Sequence, residues 1–380
     1  MARRLRVALI TNSVAIGGME KHVVLLAKHL DRKEFDVLAI APDCADTEAF
    51  TADLRQAADR VEVVTPDRRY GARRQVLEAA RLSKILRDQH IDVVHLHSTT
   101  YTGQGMASLC ARLGGVDRTY ITEHLAPDAP LSLIKRLRRN RFSRSVAGVV
   151  CVSERNLASR AAHIYTPPDK TIVVENGVDT NEFPTYSPES LNDLRRSLAL
   201  PEGAPIVGTV VRFEAEKGLD DLIAAFAIVL RSFPTAHLLM VGDGALREAL
   251  KTQAVELGID TSVRFCGFQS DPRPYLALMD AFVLPVPVGS MSIGLLEAMA
   301  MRRAVVITFG GAGEAVVHGE SGFNAEPRNP ASIAACVSDI LSDPARGVAM
   351  GAAARTRVVQ HFSAQQVART LGRLYRDDRS

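Results

Sequence analysis

PIVGTVVRFEAEKGLDDLIAAFAIVLRSFPTAHLLMVG, residues 205–242, reads as a strand, a charged loop, a helix and a second strand. Its two ends are short runs rich in Val, Leu and Ile, and the segment between them, LDDLIAAFAIVLRSF, spaces its apolar residues with helical period. A strand apolar on both faces that feeds a helix belongs in a parallel sheet covered on both sides.

Outward from this stretch the alternation continues. On the C-terminal side it runs through ALREALKTQAVELG, VRFCGF, AFVLPVP, GLLEAMAMR and AVVIT. On the N-terminal side the runs LRVALIT, FDVLAIA, VEVVT, IDVVHLHS, RTYITEH, AGVVCVS and TIVVEN are separated by segments such as EKHVVLLAKHLD and RRQVLEAARLSKILRDQ. Residues 178–204, between the two series, are polar, hold three prolines and contain no strand-like run, so they read as the inter-domain connection. The predicted class is α/β, with two Rossmann-like, doubly wound parallel-sheet domains in tandem. The expected boundaries are 1–185, a linker over 186–204, a second domain over 205–362, and a closing helix over 363–380. Ligands of such sheets bind beyond the carboxyl ends of the strands, which places the expected site in a cleft between the two domains.

At 380 residues the chain exceeds the size at which one core keeps growing, and 47% hydrophobic with 23% charged residues is ordinary for a globular enzyme. A formal net charge of +3 gives no argument for nucleic acid. Five scattered cysteines with no CxxC or Cys/His cluster suggest neither a disulfide framework nor structural zinc, so a reducing, cytoplasmic setting is expected. The opening MARRLRVALITNS reads as a strand and loop rather than a signal peptide, and no apolar stretch is long enough to span a bilayer.

Four constellations fall at strand ends. Gly17 and Gly18, after the opening strand, let backbone approach a phosphate or sugar at a helix N-terminus; a plain strand-to-helix turn reads equally well. Arg212 ends a strand and Lys217 precedes a helix, a guanidinium and an ammonium suited to neutralising a diphosphate leaving group, or alternatively a solvated loop paired with Glu214 and Glu216. Glu297, flanked by Leu295, Leu296, Ala298, Met299 and Ala300, reads as a buried carboxylate able to accept hydrogen bonds from the vicinal hydroxyls of a ribose. The turn TFGGAGEAV, with Gly310 and Gly311, can form an anion nest.

In order along the chain, GGMEKHV, DVVHLHS, ITEH, VVENGVD, VGTVVRFEAEKG, LLMVGDG, FCGF, LLEAMAMRRAVV and GESGFNAEP resemble the retaining glycosyltransferases of family 4, which share the GT-B fold. The resemblance implies transfer of a sugar, with retention of configuration, from a UDP- or GDP-linked nucleotide-sugar donor to a glycan or lipid-linked acceptor, in polysaccharide or glycolipid biosynthesis. It implies that the first domain lies on the acceptor side and the second binds the nucleotide sugar. It implies that Arg212 and Lys217 bind the donor diphosphate and stabilise it as it leaves from the face the acceptor attacks. Glu297 would bind the ribose, Gly310 and Gly311 would contact phosphate or sugar through their backbone, and the Gly17–Gly18 loop would close over the donor. His124, at the end of ITEH, would lie near the transferred sugar, whereas His95 and His97 read as a strand filling its own sheet. Such enzymes need no dedicated metal or cofactor, and no Asp-x-Asp motif occurs here.

One position departs from the family pattern. Two glutamates belong there with seven residues between them; Glu297 matches the second, and Gly289 stands in place of the first. Either other groups hold the sugar, such as the backbone amides of Ser290, Met291, Ser292, Ile293 and Gly294, or the chain is a catalytically impaired relative serving as a nucleotide- or glycan-binding partner subunit. A sugar-nucleotide epimerase of the same fold is a third reading, and predicts product from the donor alone.

The stretch 131–146 carries Lys135, Arg136, Arg138, Arg139, Arg141 and Arg144 without one acid, beside an apolar stripe of Leu131, Ile134 and Leu137. It can rest on anionic lipid at the inner face of a membrane, bind an anionic acceptor, or pack its stripe on its own sheet. The closing HFSAQQVARTLGRLYRDDRS has helical period and is expected to cross back to the N-terminal domain.

Overall fold

A computed structural model describes residues 3–12, 17–42, 47–64, 72–98, 105–125, 131–163, 168–287, 292–308 and 314–376. The chain divides into two compact units, 1–177 with 364–380, and 178–363.

The strands of the first unit are β1 (Leu5–Thr11), β2 (Phe35–Ala41), β3 (Arg60–Val63), β4 (Val93–Ser98), β5 (Arg118–Glu123), β6 (Gly148–Cys151) and β7 (Thr171–Val173). Its helices are α1 (Gly18–His29), α2 (Glu48–Ala57), α3 (Ala72–Asp88), α4 (Gly105–Leu113), α5 (Leu133–Ser145) and α6 (Glu154–His163). The strands pair in parallel in the order β3-β2-β1-β4-β5-β6-β7. Alternate residues of β1 and β2 supply two separate cores. Val7, Leu9, Val37 and Ala39 face one apolar layer, and Ala8, Ile10, Leu38 and Ile40 face the other. That is why these strands read as continuous apolar runs rather than as an alternation.

The second unit opens with α7 (Pro188–Ser197), inside the polar stretch that reads from sequence as a connection. Ser187 caps this helix by accepting from the Ser190 N–H at 3.2 Å, Pro188 begins it, and Leu191, Leu194 and Leu198 pack on the unit's core. The three leucines carry the helical spacing, but the surrounding charge and prolines mask it. The unit continues with β8 (Ile206–Val210), α8 (Leu219–Ser232), β9 (His237–Val241), α9 (Arg247–Glu256), β10 (Val263–Gly267) and α10 (Arg273–Leu278). It ends with β11 (Ala281–Leu284), α11 (Ile293–Ala300), β12 (Ala304–Thr308), β13 (Phe323–Ala325), α12 (Pro330–Ser342) and α13 (Pro344–His361). All strands are parallel, in the order β10-β9-β8-β11-β12-β13.

The last helix, α14 (Ala364–Arg376), belongs to the first unit. Val367, Leu371 and Tyr375 enter the core beside Phe35, and the Tyr375 hydroxyl lies 2.5 Å from Nδ1 of His95. No helix among the described residues is long and apolar enough to cross a membrane.

In both units the strand order reverses beside the first strand, between β1 and β4 and between β8 and β11. Loops at the carboxyl ends of those pairs part to opposite sides of the sheet and leave a crevice, the place where open parallel sheets bind ligands.

Candidate functional site

In the second unit, β8 leads into the loop carrying Arg212 and Lys217, and β11 leads toward α11, which carries Glu297. The β8 loop is held rigidly. Phe213 is fully buried and stacks edge-on against Phe265 with centroids 6.2 Å apart. Its N–H donates to the Asp243 carbonyl at 2.9 Å, while its own carbonyl accepts from the Leu246 N–H at 3.0 Å. Backbone anchored this way leaves the flanking cations at a fixed height above the sheet.

Two glycines bring the elements together. Gly218 closes the loop with φ of 65°, and a Cβ there would stand 2.3 Å from the Pro285 carbonyl oxygen beyond β11. Gly294, in the first turn of α11, lies so close to β8 that a Cβ would fall 2.6 Å from the Val210 carbonyl oxygen. The start of α11 therefore abuts the strand end two residues before Arg212. Ser292 caps the helix, its Oγ accepting from the Leu295 N–H at 3.4 Å, and the first-turn amides of Ile293 and Gly294 head it. Such a terminus favours an anion.

Glu297 is 8% exposed on a helix whose neighbours Leu295, Leu296, Ala298 and Met299 are wholly buried. The sequence expectation of a carboxylate set in an apolar helix matches that environment. Arg212 is more than half exposed and pairs with Glu214 at 2.7 Å; Lys217 Nζ lies 3.4 Å from Glu216. Burial pushes the Glu214 carboxyl up from its ordinary range, and its hydrogen bond with Glu216 adds to the shift. Solvent-accessible pairs of this kind are worth about 0–1 kcal/mol, so a doubly charged diphosphate can displace them. Ser290 and Met291, with Gly289, and Gly310 and Gly311 lie outside the described residues.

In the first unit, Gly17 and Gly18 stand at the start of α1. The Gly17 N–H donates to the Glu20 carboxylate at 2.7 Å, and Glu20 is buried. His124 follows β5, is 7% exposed, and donates its backbone N–H to Ser98 at 2.9 Å. The strand reading of His95 matches its setting, because Nε2 sits 2.7 Å from the Thr122 hydroxyl and Nδ1 meets Tyr375. His97 is different: its Nδ1 lies 3.4 Å from Nε2 of His124, and the ring of His22, from α1, completes the group. Sequence reasoning missed His22 and set His97 apart from His124, because nothing in spacing ties positions 22, 97 and 124 together.

Beside His124, Glu123 holds two arginines, Arg139 of α5 and Arg160 of α6, in a fully buried ion triad. Ser143 accepts from Arg160 at 2.8 Å. Burial lowers the Arg160 guanidinium to about 10. This triad inverts α5. The helix buries Arg139 and Ser143 and leaves Leu133, Ile134 and Leu137 exposed at 70, 72 and 59%. Ile134 and Leu137 thus do not pack on the sheet, and Arg139 is not part of the solvated basic face.

Comparison with known proteins follows the same division. Residues 16–182 match the family model Glycosyltransferase Family 4, and residues 191–357 match Glycosyl transferases group 1. Glycogen synthase of Mycobacterium tuberculosis is 34% identical over 207 residues, 53% of this chain and 47% of that protein. The GDP-mannose-dependent α-(1-6)-phosphatidylinositol monomannoside mannosyltransferase of the same organism is 32% identical over 230 residues, covering 58% of this chain and 59% of its own. The matched regions thus span about half of these relatives' length. HepE of Anabaena, crystallised with UDP and glucose, superposes with a TM-score of 0.84 at 20% identity over 98% of this chain and 99% of its own. The fold is GT-B.

Proposed function

From a chain that carries a glycosyltransferase family 4 domain followed by a glycosyl transferases group 1 domain, we propose a retaining glycosyltransferase that uses a UDP- or GDP-linked sugar. The observation that supports this reading is the β8–β11 switch point: the loop bearing Arg212 and Lys217 follows β8, and the first turn of α11, the helix on which Glu297 is buried, abuts the Val210 carbonyl at the end of that strand. Arg212 and Lys217 take the diphosphate and stabilise its charge as the glycosidic bond breaks. Glu297 accepts from the ribose hydroxyls, and the Ser292–Gly294 backbone together with Ser290, Met291, Gly310 and Gly311 receives the sugar and phosphate. Gly17, Gly18 and His124 are assigned to the sugar and acceptor side. The reaction breaks one glycosidic bond and forms another on the same face, and the departing phosphate oxygen takes the acceptor proton. UDP with glucose in HepE, and GDP-mannose in the name of the mannosyltransferase, support a nucleotide-sugar donor without choosing the base.

A thermal-shift panel of UDP- and GDP-sugars against free UDP and GDP tests this. A bound ligand stabilises the chain by about 2.7 kcal/mol over the ligand-free state at a hundred times its dissociation constant, and one sugar nucleotide is expected to stabilise it more than its bare nucleotide does at equal concentration. Equal stabilisation by nucleotide and sugar nucleotide would remove the sugar-binding role. No shift with any of them would remove the assignment of Arg212, Lys217 and Glu297.

The acceptor in this reading is a glycan or lipid-linked sugar reached at an anionic membrane surface, supported by the exposed Leu133, Ile134 and Leu137 beside Lys135, Arg136, Arg138, Arg141 and Arg144. Exposed apolar side chains among cations suit a lipid headgroup layer, at about 1 kcal/mol per cation near the surface. The free cysteines Cys110, Cys151, Cys266 and Cys336 support a reducing, cytoplasmic face. In vesicle sedimentation, binding is expected to rise with anionic lipid and to fall by about tenfold or more in Ile134→Asp/Leu137→Asp. Equal binding to neutral and anionic vesicles, or an unaffected double variant, would end the membrane reading.

A further inference from the structure

We propose that His22, His97 and His124 form a three-histidine site for a divalent transition-metal ion of the zinc class. Among the described residues they are one group of possible ligand side chains, each offering a ring nitrogen, with those atoms within 4.8 Å of one another. The three come from the middle of α1 and the carboxyl ends of β4 and β5, adjacent elements at the switch point of the first sheet.

The spacing fits the ion. Zinc holds imidazole nitrogen at about 2.0–2.1 Å in a tetrahedral shell, so two ligand nitrogens stand about 3.3 Å apart. The His97 Nδ1 to His124 Nε2 distance is 3.4 Å. Extending each bond through the ring puts imidazole centroids about 5.2 Å from one another in such a tripod. Here the three separations are 5.1 Å for His22–His124, 5.5 Å for His22–His97 and 5.7 Å for His97–His124. The ring triangle is almost equilateral; the His97–His124 nitrogens already stand at the tetrahedral spacing, and with the three ligand atoms within 4.8 Å of one another a small movement of the His22 ring closes the tripod.

Chemistry agrees with geometry. A metal binds the neutral imidazole, and protons compete for the same lone pair. Burial holds His22 down to about 4, with nearby Asn176 opposing the shift, and burial also puts His97 and His124 well below the ordinary value. His95 stands outside the tripod, its two nitrogens engaged by Tyr375 and Thr122, and so does not compete. Three protein ligands leave a fourth position for water or another oxygen. This departs from the family expectation of no dedicated metal, and it does not rest on the transferase reading.

The test uses the full chain without a polyhistidine tag. After dialysis against zinc and then buffer, elemental analysis is expected to find one zinc ion per chain, with the amount falling at least ~10-fold in His22→Asn. Loading with cobalt(II) is expected to produce intense visible absorption and imidazole N–H proton resonances shifted by the paramagnetic ion, one for each of the three ligands. Wild-type chain that retains no zinc and shows no such cobalt spectrum overturns the proposal, as does retention unchanged in a folded His22→Asn. The cobalt resonances count histidine ligands in the wild type, so the result stands even where the variant does not fold.

Discussion

Lys217→Ala is expected to lower kcat of sugar transfer by about 100- to 1000-fold, the usual loss when one preorganised charge is removed from a transition state that develops negative charge. Arg212→Ala should fall in the same range. Arg212→Lys should recover only part of it, because an ammonium keeps the charge but not the fork that grips two phosphate oxygens. The unfolding transition should barely move in any of the three. Arg212 is more than half exposed and its pair with Glu214 lies at the surface, where such pairs contribute about 0–1 kcal/mol. The measurement is steady-state transfer with the donor identified by thermal shift, alongside a melting curve. An unchanged kcat in Lys217→Ala would remove the diphosphate role, and a fall in kcat that tracks a fall in melting temperature would make the residue structural instead.

Glu123→Gln should produce the largest stability effect in the first unit, about 3–5 kcal/mol, because it leaves two buried guanidiniums without their counter-charge. Replacing the whole triad with apolar residues, Glu123→Leu/Arg139→Met/Arg160→Met, should lie close to the wild type, since the desolvation cost disappears with the charges. The chain has no tryptophan, so amide exchange in β5 and β6 is the appropriate probe. Faster exchange by a hundred- to a few-thousandfold, on the order set by that energy, is expected in the single variant and not in the triple one. Equal loss in both would mean that packing volume, not unpaired charge, dominates the site. The triad also orients α5. An arginine that must reach Glu123 turns the helix so that Leu133, Ile134 and Leu137 face outward, whatever their own preference for burial.

Much of the fold was legible from sequence because its signals are local. A strand covered on both faces is mostly apolar at successive positions, so Val7–Ile10 of β1, with β8 and β12, stand out as near-continuous runs, and the intervening helices keep their spacing. The region around α7 was harder, since only Leu191, Leu194 and Leu198 mark the helix among polar neighbours and prolines. At the site, Arg212 and Lys217 could be singled out because they sit in the charged loop between β8 and α8, and Glu297 because it is the lone charge in an otherwise apolar helix. Two of the residues assigned to the sugar, Ser292 and Gly294, gain their meaning only from the approach of α11 to β8.

By itself, then, the sequence determined the α/β class, the two parallel sheets, the charged β8 loop and the buried helix bearing Glu297, all of which depend on residues within a few turns of one another. Only the tertiary structure decided that Glu123 gathers Arg139 and Arg160, that α5 turns its leucines outward, and that His22, His97 and His124 meet. Each of those arises from elements far apart in the chain packed against one sheet. Their positions carry no period or motif, because the geometry that joins them is set by strand order and helix packing rather than by neighbours in sequence.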